Sequence, residues 1–156
     1  MTSYPLYAHF IFAFFSTLGF CFLFHVPKKH LISSAFIGGC GWTLFKYLVM
    51  NGESNVISCF LGSCLVALLA EIFSRAGKDA TTLFIIPGIL PLVPGAGMYN
   101  TMQYVLENDL EGAAAVGSET LFMAGSIALA LLIIASLTRI TVAIKRQLQQ
   151  YIKKLL

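Results

Sequence analysis

Pro87, Pro91 and Pro94, interleaved with Gly88, Gly95 and Gly97, fall within one apolar run, IPGILPLVPGAGMY at Ile86–Tyr99. Each proline lacks an amide donor, so a helix here would free the carbonyls of Leu83, Pro87 and Leu90 from their intrahelical partners. The glycines let the backbone unwind or approach another chain. A freed carbonyl can coordinate an ammonium group or a cation. A helix restarting after the break offers its first amides to a carboxylate. Tyr99, Asn100 and Thr101 add polar atoms just beyond. The candidate solute-path residues are therefore Pro87, Gly88, Pro91, Pro94, Gly95, Gly97, Tyr99 and Asn100. The competing reading is a kinked helix that serves packing only.

Two further ionisable groups lie in apolar surroundings. Glu71 and Arg75 are four residues apart, the spacing of an ion pair on one helix face. Their plain role is an interfacial pair; their sharper one is proton coupling or substrate contact, since charges at membrane depth are often functional. Lys46 reads as a structural residue whose stem reaches toward the headgroups.

Catalytic chemistry has no foothold. His9, His25 and His30 are isolated in sequence, and HExxH, Walker A and GxSxG patterns are absent. The glycines of GGCGW follow no strand and open no phosphate site, and ENDLEG lacks the ligand spacing of a calcium loop. That segment reads as an outward, solvated loop. Cys21, Cys40, Cys59 and Cys64 form no CxxC pair and read as small apolar packing residues. No catalytic residue, metal site, cofactor or nucleic-acid partner is expected.

The elements that must position the proline run are helices in lipid. Hydrophobic residues make up 58% of the chain and charged ones 11%, less than half the usual charged share of a soluble domain. At about 20 residues per crossing, 156 residues hold about five spans. They are drawn at about Pro5–Val26, Leu31–Met50, Val56–Ser74, Thr81–Tyr99 and Thr120–Thr138, the fourth broken by Pro and Gly. The N-terminus MTSYPLYAHF has no basic n-region, so no cleavable signal peptide is expected. The fold class is thus an all-α polytopic membrane protein with a five-span domain at 1–138.

Residues 139–156 form a basic amphipathic tail. Ile140, Ile144, Leu148, Tyr151 and Leu155 share one helical face among Lys145, Arg146, Lys153 and Lys154, a pattern suited to the bilayer surface or to a partner.

Charge gives an independent check. Lys28 and Lys29 follow span one, Arg75 and Lys78 follow span three, and five basic residues follow span five. Glu53 follows span two, and Glu107, Asp109, Glu111 and Glu119 follow span four. By the positive-inside rule the N-terminus is outside and the C-terminus cytoplasmic. Ser34, Gly38 and Gly41, with Ser58, Gly62, Ser63 and Ala67, form small-residue faces for close helix contact.

The run PGILPLVPG at Pro87–Gly95 followed by Tyr99, with AEIFSRAGKDATTLFIIPG upstream and FLFHVPKKHL at Phe22–Leu31, resembles the threonine/serine exporter family. Length and span number resemble its small, YjjB-like membrane subunit, and the resemblance covers nearly the whole chain. It implies a larger YjjP-like membrane partner and export of threonine and serine, or of succinate. A homo-oligomer is a further expectation. A scaffold that stabilises a partner, and a small lipid-directed enzyme, are the readings from other classes.

Overall fold

The computed structural model describes residues 5–155, with side chains over 5–142 and at 144. Six α-helices and two 3-10 turns account for the regular structure, and no strand occurs among the described residues. The helices are α1 (Leu6–Leu23), α2 (Leu31–Met50), α3 (Asn55–Gly77), α4 (Thr82–Ile89), α5 (Gly95–Leu106) and α6 (Leu110–Leu155). One 3-10 turn, Lys28–His30, leads into α2; the other, Leu90–Leu92, lies between α4 and α5.

Packing follows the small residues. α2 lies between α1 and α3 and also carries α4, while α6 packs on α3 and α5. Ser34, Gly38 and Gly41 on α2 are buried, as are Ser58, Gly62, Ser63 and Ala67 on α3, as their spacing predicts. Side chains at two of these glycines would obstruct the contact: a Cβ on Gly41 would strike Val66, and one on Gly62 would lie 3.0 Å from the Gly41 carbonyl oxygen. Without a hydrophobic drive between helices in lipid, this close approach is what holds α2 to α3. Ile37, Phe45, Cys59, Val66, Ala70, Phe84, Leu92 and Ile127 complete the core.

Helix ends are locally encoded. Ser54 caps α3, its Oγ accepting from the Ile57 amide at 3.3 Å. His25, Lys78 and Asn108 take left-handed conformations in the turns after α1, α3 and α5. Asp109 starts α6, its Oδ1 accepting from the Gly112 amide at 2.9 Å, and Glu111 follows in the first turn, where the helix dipole favours an acid. The expected solvated loop ENDLEG is therefore mostly helix-terminal machinery.

Among the described residues, three helices are long and apolar enough to cross a membrane: α1, α3 and Leu110–Val142 of α6. The α4–α5 pair, bent by 47°, makes a fourth if it counts as one broken span. The expected count of five is not reached on this measure, because α2 falls short. It has the length, 20 residues, but its interior position is filled by Ser, Gly and Lys46 at the expense of apolar side chains. The last helix also departs from expectation. It begins at Leu110, ten residues before the expected Thr120, and runs without a break past Thr138. The side chains that would test the amphipathic tail, from Lys145 on, lie outside the described residues.

Contacts between helix ends fall into two groups. Lys29 Nζ and His30 Nε2 lie 2.8 and 2.9 Å from the same Asp79 oxygen, joining the turn after α1 to the turn after α3. Asn55 Nδ2 donates to Glu119 Oε1 at 2.8 Å, joining the start of α3 to α6. Asn55 and Arg75 lie at opposite ends of α3, about 30 Å apart at 1.5 Å per residue, which is about one hydrocarbon core.

Candidate functional site

The proline run is not one kinked helix. Its first part, α4, is seated in the groove between α2 and α3. Pro87 is buried inside it, and a Cβ on Gly88 would lie 3.2 Å from both Ile37 and Val66. Leu92, in the 3-10 turn, is buried over the Gly41–Gly62 crossing. Val93 is extended, Pro94 precedes the new helix, and α5 then departs with no buried residue.

The break supplies partners for much of its own backbone. Ser34 Oγ donates a long 3.4 Å bond to the Leu83 carbonyl, and the Val93 amide donates to the Leu90 carbonyl at 3.1 Å. Cys59 Sγ donates to the Leu92 carbonyl at 3.7 Å. Two of the three carbonyls expected to be free for a solute, those of Leu83 and Leu90, are thus engaged within the protein. Those two carbonyls are not available to a solute.

A cavity of about 420 Å³ opens where the two halves separate. The break lines it with Pro91, Pro94, Gly95, Gly97 and Asn100; Trp42 and Phe45 come from α2, Asn55 from α3, and Glu119, Thr120 and Met123 from α6. Gly97 allows the approach of α5 to α6, since a Cβ there would strike the Thr120 hydroxyl. Gly95 faces open space: a Cβ would meet nothing within 4 Å. Lys46 Nζ stands 5.2 Å from the Trp42 ring centroid, a cation–π distance. A smaller cavity of about 250 Å³, lined by Asn100, Gln103, Tyr104 and Glu107, shares Asn100 with the first.

Of the eight candidate path residues, Pro91, Pro94, Gly95, Gly97 and Asn100 come together at the cavity. Pro87 and Gly88 lie in the packed core, and Tyr99 is exposed on α5. Glu71 and Arg75 lie elsewhere: Arg75 Nε is 3.3 Å from Glu71 Oε2, and its guanidinium also donates to the Thr138 carbonyl at 3.3 Å, tying α3 to α6.

Sequence reasoning missed Asn55, Trp42 and Glu119. Hydropathy starts the last span at Thr120 and so assigns Glu119 to the preceding loop; the Asp109–Glu111 capping pattern is the signal for an earlier start. His30, expected to be isolated, is buried, bonded to Asp79 and edge-on to Phe84 at 4.9 Å. Sequence alone offered no signal for that pairing across 49 residues.

Helices of membrane-crossing length around a broken, cavity-lining element mark a multi-pass membrane protein. The family model described as Threonine/Serine exporter, ThrE, matches residues 9–137. The chain belongs to the threonine/serine exporter family, a family of transporters. No solved structure matches it.

Proposed function

We propose that this chain is the small membrane subunit of a two-component secondary exporter of threonine and serine. The observation that carries the reading is the cavity at the helix break, where seven residues of the proline–glycine run, Pro91 to Gly97, meet polar groups of α3 and α6. Broken helices flanking a cavity are a recurrent transporter device, because irregular backbone in the membrane needs a polar lining or protein partners. The adjoining cavity along α5 extends the polar lining away from the break. The start of α5 offers main-chain amides to a solute carboxylate.

The chain crosses the bacterial cytoplasmic membrane five times, α4 and α5 together forming the fourth crossing. Its N-terminus is outside and its C-terminus cytoplasmic. Support comes from the alternating loop charges and from the length of α2. Glu71 and Arg75 act as an interfacial clamp near Thr138. A larger, YjjP-like membrane subunit completes the path.

The test is efflux of serine, threonine and succinate from cells expressing this chain with that partner. Efflux of the amino acids is expected, and Gly95→Leu, whose Cβ would meet nothing within 4 Å at the cavity lining, abolishes it. Unchanged efflux at equal protein levels would sink the solute-path reading. Loss of the partner's abundance without any effect on the transport that remains would favour the scaffold reading. Succinate as the main exported solute would replace the amino-acid assignment.

A further inference from the structure

Glu119 is the only acidic residue lining the larger cavity, and no Lys or Arg lines it among the described residues. Its Oε1 accepts the Asn55 amide at 2.8 Å, which steadies the carboxylate while leaving Oε2 free to accept another donor from the cavity. The opposite wall is Trp42 and Phe45 from α2, with Leu92, Val116 and Met123 supplying apolar surface. One fixed negative charge faces the Trp42 and Phe45 rings, whose centroids lie 5.2 and 5.9 Å from the Lys46 ammonium, and the main-chain amides that begin α5; the site is asymmetric. It suits a solute with a cationic group, a short side chain and an anionic group.

We infer that Glu119 is the charge-selecting residue of this cavity, taking the α-ammonium of a small zwitterionic amino acid and excluding dicarboxylates. This rests on the reading of the cavity as the solute path. An ammonium placed against Glu119 makes charge-assisted hydrogen bonds, stronger than those of a neutral hydroxyl at the same place. A second carboxylate there meets like-charge repulsion. The same site therefore discriminates serine from glycerate, its counterpart with a hydroxyl in place of the ammonium, and from succinate. Asn55 is a positioning residue, acting through Glu119.

Trp42 lines the cavity and is the only tryptophan in the chain, so its emission reports occupancy. The full-length chain in detergent is titrated with L-serine, L-threonine, glycerate and succinate. Serine and threonine are expected to change Trp42 emission saturably, with glycerate and succinate at least about tenfold weaker. Glu119→Gln should raise the half-saturating serine concentration about 10- to 100-fold and narrow the gap between serine and glycerate. Glu119→Asp should recover part of the discrimination. Both Glu119 and Asn55 are exposed in the chain, so these variants keep its melting temperature.

An unchanged serine titration in Glu119→Gln, while Gly95→Leu abolishes binding, overturns the role of Glu119 and leaves the solute path standing. A wild-type chain that responds to no solute, together with unimpaired efflux in Gly95→Leu, overturns the path reading and this assignment with it.

Discussion

The two halves of the broken element share one sequence run but make opposite use of it. In α4, Pro87 and Gly88 are buried, and the glycine is needed because Ile37 and Val66 crowd its missing side chain. In α5, no residue is buried, and Gly95 has open space around it. A proline–glycine run is therefore not one functional unit. The first half fits the chain into the α2–α3 groove, and the second is held away from that groove so that a cavity forms. The same residue type is a packing device at 88 and a cavity surface at 95.

The strongest way to break this contrast is to put one side chain at both glycines. Gly88→Leu should cost about 3 kcal/mol by overpacking against Ile37 and Val66, lowering the melting temperature and the folded yield in detergent, and losing export with them. Gly95→Leu should lose export while its unfolding free energy stays within about 0.5 kcal/mol of wild type. Equal destabilisation by the two would erase the distinction between packing half and cavity half.

Acid stability offers a finer probe of the α4 end. The hydrogen bond from Lys29, reinforced by its charge and by His30, holds the Asp79 carboxyl below its ordinary value. A carboxylate lowered in the folded state stabilises above its unfolded pKa, and that stabilisation is lost as pH falls through the folded one. Wild type should therefore lose melting temperature below about pH 4, and Asp79→Asn should lose less over that range while starting lower at neutral pH. Parallel curves for the two proteins would mean that the Lys29–Asp79–His30 contact contributes nothing to seating α4.

The smallest effect is expected at Arg75. Its pair with Glu71 is partly exposed, so Arg75→Ala should cost at most about 1 kcal/mol in thermal unfolding. Glu71→Gln should leave export unchanged, as an interfacial clamp requires. A marked loss of export at full stability would instead make Glu71 a coupling group and move part of the function away from the cavity.

Much of this protein is local and so was legible in the chain. Apolar helices, the position of the break, the small faces of α2 and α3, and the Glu71–Arg75 pair all follow from residue type and spacing along one helix. So did four of the cavity residues, Pro91, Pro94, Gly95 and Gly97, because proline and glycine act on their own backbone. The count of crossings was harder to read, since α2, as an interior helix, trades apolar side chains for close contact.

What only the tertiary structure decided depends on groups far apart in the chain. Which glycines are crowded and which are open is set by the neighbour each meets, Val66 and Ile37 in one case and nothing in the other. Asn55 meets Glu119 across 64 residues, and His30 meets Asp79 across 49. A side chain's type gives its chemistry, but its surroundings give it a partner. Those surroundings come from helices folding back on one another, which no periodicity within a single helix records.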